Sequence, residues 1–178
     1  MSALFDGVWD IDLEGSSMWD LEQQRYVPEP AGFERITLRH DGATQNYEVL
    51  YGDSPRIRMG YTQTFDSTDW APYQVREIME IPAGSDAADA ALAFGERVGA
   101  PAAGVRRRSF AIGSNYGMIR LISVNERVHY RLGVNADDGT PQSMLMRKLE
   151  EDGNAYITYL LDPEGIVYRI RRFVRVDS

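Results

Sequence analysis

Apolar and polar residues alternate in short runs along almost the whole chain, and turn residues separate the runs. A period of two marks strands with one buried face, so the pattern predicts an antiparallel β meander with little helix. The runs are Gly7 to Leu13, Phe33 to His40, Asn46 to Tyr51, Arg56 to Phe65, Tyr73 to Ile81, Arg106 to Ile112, Tyr116 to Val124, Arg127 to Val134, Ser143 to Glu150, Ala155 to Leu161 and Ile166 to Val176. They amount to roughly ten strands. Between them lie His40-Asp41-Gly42, Tyr51-Gly52-Asp53-Ser54-Pro55, Asp137-Asp138-Gly139, Asp152-Gly153-Asn154 and Asp162-Pro163-Glu164-Gly165, all of turn-forming composition. Sequential strands are therefore expected to be antiparallel neighbours. A meander this long closes or splits in two, because free edges invite mispairing. The expectation is a mainly-β chain forming one domain over residues 1–178, a single antiparallel up-and-down β-barrel, with a two-sheet sandwich as the rival.

Two stretches break the pattern. Ser85 to Ala103 contains the Ala-rich run Asp86 to Phe94 behind Ser85, a candidate helix N-cap, and reads as a short helix or loop insertion near residues 85–100 at the barrel mouth. Ser16 to Pro30 is rich in Trp, Tyr, Gln and Pro and reads as a long connection covering one end. Either could bring two copies together, so a homodimer is expected.

The opening strand, Phe5-Asp6-Gly7-Val8-Trp9-Asp10-Ile11, resembles the G-x-W signature of lipocalins and related calycin barrels. The resemblance covers one strand and implies that Trp9 closes the bottom of the barrel, with an arginine of a late strand, Arg172, stacked on it. The T-D-Y-type motif of that family is not evident. Bacterial barrels of this general shape include cofactor-free enzymes such as phenolic acid decarboxylases and cyclases, an analogy of fold rather than of motif.

If the apolar face of each strand points inward, polar residues in that register carry the information. Ile166, Tyr168, Ile170, Val174 and Val176 then turn Arg172 inward; Met118, Ile122 and Val124 turn Arg120 inward; Leu145 and Leu149 turn Arg147 inward. Arg108 follows less clearly from Phe110 and Ile112. Glu77 is the one charge on the stripe Tyr73, Val75, Met79, Ile81, and a single β-bulge would turn it outward. Tyr47, Tyr51, Tyr61, Tyr73 and Tyr130 share inward registers, while His40 ends the stripe Ile36, Leu38 at a rim and His129 falls on the exposed side. Each has a structural alternative: Arg172 as a cap on Trp9, Arg120 and Arg147 as partners of Glu77 or Glu48, the tyrosines as packing, and His40 as a solvated turn residue.

Charge narrows the ligand. The chain carries 27 Asp and Glu against 19 Lys and Arg, a formal charge of -8, which opposes nucleic-acid binding. With no cysteine and 2 histidines, no structural metal is expected. No Walker loop, G-x-G-x-x-G or Ser-His-Asp order is present, so no nucleotide cofactor is expected. Neither a signal peptide nor an apolar run of about 20 residues is seen, giving a cytoplasmic, non-membrane expectation. Inward arginines in excess of inward acid call for an anion, and tyrosines add apolar walls with polar tips. Two functions fit. One is a cofactor-independent lyase or isomerase acting on a small hydrophobic or aromatic acid, with Glu77, Tyr61, Tyr130 and His40 moving protons and Arg120, Arg147, Arg172, Arg108, Tyr47, Tyr51 and Tyr73 holding substrate. The other is a binding protein that leaves the same ligand unchanged. A packed structural barrel is the third reading.

Overall fold

The alternating runs become strands throughout the parts of the chain that the computed structural model describes, residues 3–30, 32–98 and 111–176. In chain order these are β1 Gly7–Asp20, β2 Arg25–Pro28, β3 Glu34–Asp41, β4 Thr44–Tyr51, β5 Arg56–Thr64, β6 Ala71–Met79, β7 Asn115–Asn125, β8 Val128–Val134, β9 Pro141–Leu149, β10 Ala155–Leu161 and β11 Val167–Arg175. A 3-10 turn, Ala3–Phe5, precedes β1, and helix α1, Ala87–Val98, lies between β6 and β7. The run Arg106 to Phe110 lies outside the described residues, and Ile112 sits in a turn.

Every ladder is antiparallel. β1 and β3 through β11 form a ring in sequence order, closed where β11 pairs back onto β1 with Trp9 opposite Arg175 and Ile11 opposite Phe173. The barrel therefore has ten strands, and closure rules out the sandwich. β2 stays outside the ring and pairs with the far end of β1, Trp19 opposite Tyr26. Residues 16–30 are thus the extension of β1 and its hairpin partner rather than an irregular connection. Between Asp12 and Ser17 the β1–β11 register shifts. Ser16 holds this irregularity by donating its hydroxyl to the Asp12 carbonyl at 2.6 Å and accepting the Arg172 amide at 3.0 Å.

Helix α1 is capped by Asp86, one residue later than Ser85, with its carboxylate accepting the Ala88 amide at 2.8 Å. The helix turns Ala90, Ala91 and Phe94 inward, and the Phe94 ring lies 5.2 Å from that of Tyr51. Gly52 makes room for this docking: a Cβ there would stand 2.8 Å from the Phe94 ring, and its φ of +83° suits glycine.

At the other end the 3-10 turn and Trp9 form a floor. Trp9 is 0% exposed and donates its indole N–H to the Phe5 carbonyl at 2.9 Å. The arginine that stacks on it is Arg175, 4.1 Å from the ring centroid, rather than Arg172. Arg175 also donates to the carbonyls of Leu4, Asp6 and Gly153, tying the turn across the floor. Gly7 permits this approach, since a Cβ would lie 2.6 Å from Arg175 Nη1 and φ is +139°. Gly7→Ala is expected to cost about 1–3 kcal/mol through strain and a displaced Arg175. Thermal unfolding together with the tryptophan emission spectrum reads this out.

The inward faces of β3, β4 and β5 follow the expected rule, with Ile36, Leu38, Tyr47, Val49, Ile57, Met59 and Tyr61 buried. On β7, β8 and β11 the rule inverts. There the lumen receives Ile119 and Leu121, His129 and Arg131, and Arg169, Arg171 and Phe173, while the stripes containing Arg120, Tyr130 and Arg172 face outward.

Candidate functional site

The lumen is built from opposed inward residues of all ten strands, and its polar members cluster at three heights. Near the floor His40 is buried between β1 and β4, its Nδ1 2.6 Å from Asp6 and its Nε2 3.0 Å from the Gln45 amide nitrogen. Tyr61 donates its hydroxyl to Gln45 Oε1 at 3.0 Å. That bond fixes the direction of the chain: the Gln45 N–H donates to His40 Nε2, and the His40 Nδ1–H donates to the Asp6 carboxylate. His40 is consequently an interior residue, neither a rim group nor a solvated turn residue. The partly exposed Asp6 links this chain to the surface.

Above it, two guanidiniums bracket one phenol. Tyr47 stacks nearly parallel on Tyr61, with centroids 4.8 Å apart and planes at 8°, and Tyr73 stands edge-on to both. Arg131 lies 5.6 Å from the Tyr47 centroid and 5.5 Å from that of Tyr73. Arg147 lies 5.6 Å from Tyr47 and 5.0 Å from Tyr156. Arg147 is 1% exposed, and its Nη1 donates to His129 Nε2 at 3.1 Å. Its Nε and Nη2, Arg131 Nη1 and the Tyr156 hydroxyl are buried without a hydrogen-bond partner. Among the described residues no carboxylate pairs with either guanidinium.

Nearer the mouth the charges are compensated. Glu29, its side chain 0% exposed, pairs with Arg169 at 3.1 Å and Arg171 at 3.0 Å, and Glu34 pairs with Arg171 at 2.7 Å. Desolvation, then the neighbouring Arg171, lowers Arg169 to about 10, still charged at neutrality. Four lumen arginines thus face two lumen carboxylates, and the uncompensated pair is Arg131 and Arg147. Tyr51, Arg131 and Arg171 are enclosed by the barrel wall yet each keeps surface that water reaches.

Burial sets the protonation of the remaining groups. It raises Tyr51, Tyr73 and Tyr156 well above 10.0 and raises Tyr47 as well, so these phenols are neutral and can donate. Desolvation first, then Arg147, His40 and Arg131, holds His129 well below the usual 6.5. The folded protein keeps His129 neutral while the unfolded chain takes up a proton near 6.5, so this group's share of stability is lost as pH falls below that value. Replacing His129 by Gln keeps an acceptor for Arg147 and removes the titration. The stability difference between about pH 7.5 and about pH 5 is expected to shrink by up to about 2 kcal/mol in urea unfolding.

Six of the sequence-derived site residues therefore line the lumen: Tyr47, Tyr51, Tyr61, Tyr73, Arg147 and His40. Four do not. Glu77 is exposed and pairs with Arg58 at 3.0 Å, because the β5–β6 register shifts between Arg58, opposite Glu77, and Met59, opposite Val75. That bulge reverses the alternation. Arg120 lies outside against the Trp70 ring, donating to the Ser67 carbonyl. Tyr130 is on the outer wall beside Ile122 and Met146. Arg172 is clamped outside between Asp12 at 2.8 Å and Glu150 at 2.9 Å. Arg108 lies outside the described residues.

No family model matches the chain, and no curated protein matches it. Among solved structures it is similar to the crystal structure of a mutant of the fluorescent protein UnaG, with a TM-score of 0.54, 12% identity, and 99% of each chain covered. The likeness agrees with the closed antiparallel β-barrel fold. At that identity the likeness speaks for architecture alone. What this barrel holds must be read from its own lumen, where Arg131, His129, Arg169, Arg171, Glu29 and Glu34 are polar residues that the sequence reading did not select. Glu34 was within reach, since it stands two positions before Ile36 on the same face of β3.

Proposed function

We propose that this barrel binds a small hydrophobic or aromatic acid, its anionic group seated between Arg131 and Arg147 and its apolar body against the tyrosine walls. The observation that carries this reading is a pair of guanidiniums against the Tyr47 ring without a carboxylate partner among the described residues, with Nε and Nη2 of Arg147 and Nη1 of Arg131 buried and without a hydrogen-bond partner. Leaving buried charged donors unfilled is costly, and a carboxylate would satisfy them with two-point, charge-assisted bonds. Tyr47, Tyr73 and Tyr156 would supply flat walls and, being neutral, further donors.

The same observations weaken the acid/base set drawn from the sequence. Glu77 and Tyr130 are outside, and Glu29 and Glu34 are engaged by arginines. One observation favours a second reading, a cofactor-independent lyase or isomerase: the hydrogen-bonded chain from Tyr61 through Gln45 and His40 to Asp6 places an oriented phenol in the lumen.

Incubating the protein with a panel of aromatic and medium-chain carboxylic acids, with thermal shift and product mass read in parallel, separates the two. Stabilisation without new product supports the binding protein; product that disappears in Tyr61→Phe supports the enzyme. Absence of stabilisation by any acid would overturn the anionic-ligand assignment.

A further inference from the structure

The outward apolar stripes of β7, β8 and β11 belong to one continuous surface. Ile122, Tyr130, Met146, Tyr159 and Ile170 are directly opposed from strand to strand and run across β7 to β11 without a charge. Leu132, Met144 and Leu161 form a second apolar row beside them, ending at Arg120 on β7. On the other half of the exterior the equivalent row is Arg35, Leu50, Arg58 and Glu77, laced by ion pairs from Arg58 and Arg76 to Glu48. One half of the outer wall is thus dressed for water, and the other is not.

We infer that the outer face of β7–β11 is the interface of a homodimer, a second copy of this chain packing sheet against sheet. Charge selects this occupant. Copies that each carry -8 repel one another, and contact is least opposed across a face whose two central rows hold none of the acids. The same charge disfavours an anionic bilayer. Size agrees as well: five strands about 4.8 Å apart, with three outward positions on each, make a face about 20 Å on a side, its third row, Val128, Lys148, Ile157 and Arg172, forming a charged rim. With side-chain relief this approaches the ~800 Å² per partner of a standard interface. Tyrosine and methionine, abundant in these rows, are enriched in interface cores, and homodimer interfaces are the more apolar class. Two such sheets would pack about 10 Å apart, leaving each lumen and mouth free.

Sedimentation velocity on the full chain tests this directly. The native protein is expected to be dimeric well above micromolar concentration, and Tyr130→Glu and Met146→Lys are each expected to be monomeric with unchanged circular dichroism and unchanged lumen binding. Thr62→Lys, on the charged half, should remain dimeric. A native chain that stays monomeric, or a dimer that survives both substitutions, overturns the assignment. Monomer that co-sediments with phosphatidylcholine vesicles through this face would also overturn it, giving the surface to a bilayer.

Discussion

Arg147→Met is expected to weaken binding of an aromatic carboxylate about 100-fold while changing the stability of the free protein by no more than about 1 kcal/mol. A charge-assisted, two-point contact is worth about 3 kcal/mol, which is about two factors of ten in affinity. In the free protein the substitution removes a buried cation with no carboxylate partner and fills its place with an apolar chain of similar length, a change that is commonly neutral. The loss on the other side of the ledger is the bond to His129 Nε2. Calorimetric titration and thermal unfolding of the same preparation read both quantities. A melting temperature lowered by many degrees with affinity unchanged would make Arg147 a structural residue and remove it from the site.

Glu29→Gln is expected to do the reverse. The Glu29 side chain is fully buried and faces both Arg169 and Arg171, so neutralising it removes a carboxylate that the two cations share, while Glu34 stays on Arg171. Breaking a buried ion cluster from one side costs about 3–5 kcal/mol. For a chain of this size that is roughly 10 °C in melting temperature, at about 2–4 °C per kcal/mol. Affinity measured well below the melting transition should change far less than stability does. Under the proposed function, the paired lumen arginines hold the barrel and the uncompensated ones take the anionic group of the ligand.

Much of the architecture was legible in the chain because turn chemistry and period-two alternation need only local information. Strands β3 through β6 and β7 through β11 fall close to the expected bounds, and the helical insertion lies where the Ala-rich run placed it. The facing of the strands was less legible, for two reasons. The first is the bulge in β6, which reverses the side on which Glu77 emerges and leaves no mark in the residue pattern. The second is the inverted half of the wall. A rule that points apolar residues inward selects Arg120, Tyr130 and Arg172, because on β7, β8 and β11 the more apolar stripe is the outer one. The lumen stripes, His129 with Arg131 and Arg169 with Arg171, then read as solvent faces. Arg147 escaped this error because Leu145 and Leu149 flank it on the inner face of β9. The resemblance at Gly7 and Trp9 pointed to a stacked arginine, yet Arg175 takes that place, three residues beyond Arg172 and on the opposite face of β11.

Under the proposed function, Arg131 and Arg147 hold an anionic guest, and one matched pair of ligands interrogates them. Calorimetric titration of the protein with a naphthoate and with the corresponding naphthamide keeps shape and apolar area constant while removing the charge. Saturable one-to-one binding of the naphthoate, at least tenfold tighter than the naphthamide and abolished by combining Arg131→Met with Arg147→Met, is the predicted result. Equal affinity for the two, or binding that survives the double substitution, would contradict it.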